Sequence, residues 1–260
     1  MNILLDSGAF QDIEGDRRLS FSGALDRQLE YEDRHGFTSK FIVSYDRIVD
    51  ESPTVQGKRL KRRVGPKTSA KYVDETINAA KYLADNRKDL RPRRLVLSNQ
   101  GVNPNQYSGC IEEVLGFADK DDVIGLGGFC IVGQIPKYAS DYYEVLNGLL
   151  PKLKARHIHR IHVFGMGVFK ILIKTHVLCH KYGITPSYDT SSLEVNAVFG
   201  KVFSPDVSGM GPKGIHVSHV FDRKDKYELY HPRDWAMLNI EMVNTFWERM
   251  NQLYPLPVAQ

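Results

Sequence analysis

Short apolar runs recur along the chain, and each closes on an acid, an amide or a glycine before a helical stretch begins. The first is Asn2 to Leu5, closed by Asp6, Ser7 and Gly8. Lys40-Phe-Ile-Val-Ser-Tyr45 runs into Asp46, and Arg94-Leu-Val-Leu-Ser98 into Asn99, Gln100 and Gly101. Val123 to Val132 holds a strand broken by Gly125, Gly127 and Gly128. Ile161-His-Val-Phe164 leaves through Gly165-Met-Gly167, and Ile184 to Tyr188 ends at Asp189. Runs without polar alternation suit parallel strands covered on both faces. Helical patterns separate them at Ala24 to His35, Ser69 to Asn86, Tyr107 to Ala118, Asp141 to Arg156 and Phe169 to Tyr182. One more strand is expected from Gly214 to Phe221, and a closing helix from Trp235 to Met250. This alternation implies a parallel sheet, and that many βα units predict an α/β, TIM-like (β/α) barrel in one domain over residues 1–260.

A chain of 260 residues with 42% hydrophobic and 25% charged residues can bury a good core. No apolar run is long enough to cross a bilayer and no signal peptide precedes the first strand, so no membrane partner is expected. Cys110, Cys130 and Cys179 show no paired metal spacing and cannot all pair within one chain, which fits a reducing cytoplasm. The net charge of +4 is modest, but Lys58, Arg59, Lys61, Arg62, Arg63, Lys67 and Lys71 crowd one stretch, read as a basic loop running into a helix. Such a cluster suits phosphate contacts.

In this fold the carboxyl ends of the strands build the active site. Asp6, Ser7, Asp46, Gln100, Gly101, Gly127, Gly128, Gly165 and Asp189 all fall there. Two carboxylates at one reacting carbon can divide the work between nucleophile and acid/base. A further Asp and a Gln offer acceptors and donors to the edge of a flat heterocycle, and glycines let backbone groups approach it.

Asp6-Ser7-Gly8-Ala9-Phe10-Gln11 resembles the Asp-Ser-Gly-Gly-Phe/Tyr-Gln signature of the tRNA-guanine transglycosylases. Tyr45-Asp46, Asn99-Gln100-Gly101, the Gly127 to Gly133 stretch, Phe164-Gly165-Met166-Gly167 and Tyr188-Asp189 are similar to that family's later motifs, in the same order. The resemblance implies that Asp189 is the nucleophile at C1′ of a nucleoside, and that Asp6 is the general acid/base acting at N9 of the incoming 7-deazaguanine. It implies that Asp46, Gln100 and the backbone at Gly127, Gly128 and Phe129 read the base edge, with Ser7 and Gly165 beside them. Phe10 and Phe164 would sandwich the ring. The chemistry would need no metal or redox cofactor, and pairing of two copies is common in the family.

The chain also departs from that pattern. The tRNA enzymes carry two strands before the Asp-Ser-Gly motif, so the barrel is expected to be incomplete, or closed by the segment around Ile215 to Phe221. No cysteine follows Cys179 to match their Cys-rich zinc site. If a structural zinc is held, His216, His219, His231 and Glu241 are the candidate ligands. The arginines expected after the nucleophile are missing from Thr190 to Gly200, and no added RNA-binding domain is seen. This looks most like the transglycosylases of phages and bacterial modification clusters that insert 7-deazaguanines into DNA, which would place a phage-encoded copy in the host cytoplasm. The target guanine would leave the stack to reach Asp189.

Base exchange in DNA, with free guanine and 7-deazaguanine as the other partners, is therefore the expected function. Exchange in tRNA is the alternative with the same residues. A silent nucleic-acid-binding subunit is the alternative from another class, and the presence of both Asp6 and Asp189 argues against it. The basic stretch argues against a nucleosidase acting on free nucleosides.

Overall fold

The computed structural model describes residues 4–8, 19–51, 54–55, 58–59, 62–129, 136–189, 197, 201–204, 213–216, 232–253 and 255. The chain divides into two compact units, Met1–Phe164 and Gly165–Gln260.

The first unit begins with β1 (Leu4–Leu5), α1 (Phe21–His35) and β2 (Phe41–Val43). Four short strands follow: β3 (Asp50–Glu51), β4 (Thr54–Val55), β5 (Lys58–Arg59) and β6 (Arg62–Arg63). Then come α2 (Pro66–Asp85), β7 (Arg94–Asn99), α3 (Pro104–Phe117), β8 (Val123–Leu126), α4 (Pro136–Ala155) and β9 (Arg160–Val163). Strands β1, β2, β7, β8 and β9 lie side by side in chain order and run parallel. Adjacent residues along them are buried alike: Ile42 and Val43, Leu95, Val96 and Leu97, and Ile161 and Val163 are at most 1% exposed. Both faces are covered, which is why these strands read as unbroken apolar runs.

Helix starts are set by caps and prolines. Ser20 Oγ accepts from Gly23 N–H at 3.0 Å and opens α1, which closes on Gly36 in the left-handed region at φ 65°. Pro66 and Pro104 occupy the first turns of α2 and α3, where a missing N–H costs nothing. Helix α1 also grips the sheet: Gln28 Nε2 donates to Val43 O at 3.0 Å, and Val43 N–H donates to Gln28 Oε1 at 3.2 Å. Ser44 ties β2 to β7, donating its N–H to Val96 O and accepting from Ser98 N–H at its Oγ, both at 2.9 Å.

The second unit contains α5 (Phe169–Tyr182), β10 (Thr185–Tyr188), β11 (Lys201–Ser204), β12 (Lys213–His216) and α6 (Pro232–Leu253). Trp247 of α6 stacks on Tyr188 with ring centroids 5.4 Å apart and lies 5.5 Å from His176 of α5.

Among the described residues six strands, β1, β2, β7, β8, β9 and β10, alternate with helices, against the eight of a closed (β/α)8 barrel. The fold is an α/β, incomplete TIM-like barrel. The strand expected from Gly214 to Phe221 is described over Lys213–His216 as β12, which pairs antiparallel with β11 in a separate two-stranded sheet, and residues 217–221 lie outside the described residues. One expectation is corrected. The basic loop is largely ribbon: β3 pairs antiparallel with β6, and β4 with β5. No helix of the described residues is long and apolar enough to cross a membrane.

Candidate functional site

In the first unit the carboxyl ends of β2, β7 and β8 bring Asp46, Gln100 and Gly127 together. Gln100 is 1% exposed and donates from Nε2 to Asp46 Oδ2. That leaves its Oε1 without a hydrogen-bond partner among the described residues. A buried acceptor in this state marks a place for water or ligand. Gly127 forms the floor: a Cβ there would overlap Gln100 Nε2 and come within 3.2 Å of Asp46 Oδ2. Its N–H donates to Asn99 O at 3.0 Å, and its carbonyl accepts from Tyr107 Oη. Behind the floor Phe129 is fully buried, stacked on Tyr107 with centroids 4.7 Å apart and edge-on to Tyr142. The Phe129 side chain is therefore core. Gly128 sits at φ 71°, a turn suited to glycine. Leu19, Phe21, Tyr45 and Arg47 line a small cleft that also borders Asp46.

At the end of β1, Asp6 is exposed, whereas Ser7 is fully buried and its Oγ has no hydrogen-bond partner among the described residues. The Arg27 guanidinium of α1 donates to Ser7 O. Gly8 has φ 74°, a turn that requires glycine, and it lies against the Arg27 guanidinium.

His162 of β9 is 3% exposed, and its ring lies edge-on to Phe164 at 4.5 Å. Phe164 in turn covers Gly125, where a Cβ would approach its Cε2 to 2.8 Å. Half of Phe164 is committed to the core beside Val43, Val96 and Val123. Burial pushes the His162 imidazole down to about 4, against the opposing pull of the Asp6 charge. Near neutral pH it is an uncharged ring close to an acid. The unfolded chain takes up this proton near pH 6.5 and the folded protein only near 4. Stability should therefore fall as pH drops through that window. At pH 4.5 the imidazole accounts for roughly 2–3 kcal/mol of that loss. His162→Gln should retain this portion of its neutral-pH stability, as read by urea unfolding at pH 7 and 4.5. Equal losses in variant and wild type would refute the assignment.

In the second unit, β10 delivers Asp189 to its carboxyl end. Gly165, at φ 65°, donates its N–H to Asp189 Oδ1 at 2.5 Å. Crowding by surrounding protein holds this carboxyl above the ordinary Asp range, while the Gly165 N–H and its own backbone pull the other way. Gly165 thus serves the carboxylate directly.

Several expected residues fall elsewhere. Phe10, Lys61, His219 and His231 lie outside the described residues. Lys58 and Arg59 form β5, Arg62 and Arg63 form β6, and Lys67 is exposed in the first turn of α2. His216 ends β12 and Glu241 is exposed on α6. Among the described residues no cluster of His, Cys, Asp or Glu could hold a metal ion. Cys110 and Cys179 are buried free thiols, and burial pushes Cys110 up to about 12, so it is no nucleophile at neutral pH.

Arg27, Asn99, Tyr107 and His162 escape the sequence reading. Asn99 Nδ2 braces the β7–β8 end by donating to Leu97 O and Gly125 O. Asn99 had a local signal, since it directly precedes Gln100-Gly101, whereas Tyr107 marked only an expected helix start. Arg27 and His162 had none, because their contacts span distant elements. No protein-family model matches the chain, and no curated protein matches it either.

Proposed function

We propose that the protein exchanges guanine in DNA for a 7-deazaguanine, such as 7-cyano-7-deazaguanine, through a covalent glycosyl-aspartate. The observation that carries this reading is the Asp46–Gln100 pair over the Gly127 floor, with the Gln100 acceptor still open. A guanine edge offers N–H donors at N1 and at the 2-amino group beside an acceptor at O6. A carboxylate next to a carboxamide offers a complementary set, and the missing Cβ at Gly127 lets the Gln100 amide sit against the main chain beside Asp46.

In the proposed reaction Asp189 attacks C1′ as the C1′–N9 bond breaks, and guanine departs with the bonding pair, taking at N9 the proton that Asp6 gives up as general acid. The sugar is then held as an ester of Asp189. Asp6 takes the N9 proton of the incoming 7-deazaguanine, whose N9 attacks C1′ and releases the Asp189 carboxylate. Two displacements at one carbon retain configuration and give ping-pong kinetics. The hydrogen bond from Gly165 favours the ionised carboxylate that such an attack requires. His162, uncharged near neutral pH, places no positive charge beside Asp6.

The test is incorporation of labelled guanine or 7-cyano-7-deazaguanine into duplex and single-stranded DNA, with tRNA in parallel. Label in DNA is the expected result. Label in tRNA alone would move the reading to the RNA polymer, and label in neither would remove the enzyme altogether.

A further inference from the structure

The ribbon β3–β6 lies in the connection that follows β2, downstream of Asp46. Its pairings, Asp50↔Arg63, Glu51↔Arg62, Thr54↔Arg59 and Val55↔Lys58, share one antiparallel register. Residues 50–63 hold two acids against five lysines and arginines, so most of the chain's net charge of +4 comes from here. The register sorts those cations into two kinds. At the base, Arg62 and Arg63 are paired in register with Glu51 and Asp50, and opposite charges at facing positions stabilise a two-stranded ribbon. Toward the tip, Lys58 and Arg59 are paired in register with Val55 and Thr54, which carry no charge.

We propose that Lys58 and Arg59 form the phosphate-contacting tip of this ribbon and that its partner is duplex DNA, whereas Arg62 and Arg63 hold the ribbon together. This rests on the reading of the substrate as a nucleic acid. The shape of the element selects the polymer. A two-stranded β-ribbon fits the wide major groove of B-DNA, while the deep, narrow major groove of A-form RNA excludes it. Each phosphate neutralised by a cation releases counterions and adds about 0.9 to the slope of log affinity against log salt. The tip pair should therefore contribute a slope of about two.

The experiment measures binding of the full chain, by fluorescence anisotropy across a salt series, to a labelled DNA duplex of about two helical turns. The same sequence as duplex RNA is measured alongside, and thermal unfolding and DNA base exchange are followed in every variant. K58Q/R59Q is expected to weaken DNA binding at least tenfold, to lower the salt slope by about two and to leave the melting temperature unchanged. R62Q/R63Q is expected to lower the melting temperature, with a smaller change in slope. An unchanged slope in K58Q/R59Q, or equal slope losses in both variants, overturns the sorting. Equally tight binding of duplex RNA by the wild type overturns the choice of partner. Either of these results alongside wild-type exchange into DNA would sink the inference and leave the functional reading standing. Absence of both binding and exchange would sink the two together.

Discussion

Asp189→Asn is expected to lower base exchange by about four orders of magnitude or more while folding stability stays near that of the wild type. An amide oxygen cannot form the glycosyl ester, so the first displacement has no nucleophile. The same oxygen can still accept the Gly165 N–H that Asp189 Oδ1 accepts at 2.5 Å, so the local fold keeps its hydrogen bond. Urea unfolding beside a label-exchange assay separates the two effects. Substantial exchange by the variant would disqualify Asp189 as nucleophile, and a large stability loss would make it a structural group instead. The wild-type pH profile is a second check. Crowding holds the Asp189 carboxyl above its ordinary value, so the acid limb of exchange should lie above the usual Asp range.

The largest effect on stability is expected at the other ends of the strands. Glu32 of α1 has 2% of its side chain exposed, and Arg93, next to β7, has 16%. Arg93 Nε donates to both Glu32 oxygens at 3.0 and 2.9 Å, and Ser39 N–H donates to Oε1 at 3.0 Å. One carboxylate therefore ties α1 to the residues that lead into β2 and β7. Burial alone would raise this carboxyl, but hydrogen bonds from Arg93 and Ser39, with the Arg93 charge, outweigh it and hold it below the ordinary Glu range. Glu32→Ala strands a guanidinium and a hydroxyl in a poorly solvated place, at a cost of roughly 3–5 kcal/mol. Replacing both partners by apolar residues, as in E32M/R93M, should recover part of that loss. The bridge stabilises fully above the ordinary Glu value of 4.5 and fades as pH falls through the lower folded value. A cost below about 1 kcal/mol in urea unfolding would show that water reaches the pair freely.

The order and type of the barrel elements were legible because burial on both faces leaves apolar runs that little else produces. Ile42-Val43, Leu95-Val96-Leu97 and Ile161 to Val163 are such runs. Helix starts are read about a turn late at Ser69, Tyr107 and Asp141, because Pro66, Pro104 and Pro136 look like breakers when they open the helices. Strand β11 is missed, since Lys201 to Ser204 is short and takes its pairing from β12. The ribbon is hidden by charge: Lys58, Arg59, Arg62 and Arg63 leave no apolar-polar alternation to read. In the site, chain-local motifs mark Asp46, Gln100 and Gly127, and the structure brings these three together. Arg27 and His162 act only through contacts made by folding, which no spacing in one sequence encodes.

One small helical contact shapes the end of the first strand. Ser44 N–H points to β7, so the N–H and C=O of the preceding Val43 point the other way, toward β1. Both are satisfied by the carboxamide of Gln28. That side chain impersonates a peptide unit and completes the ladder one rung beyond Leu5. Beyond that rung the main chain turns at Gly8, φ 74°, and Ser7 O accepts from the Arg27 guanidinium of the same helix.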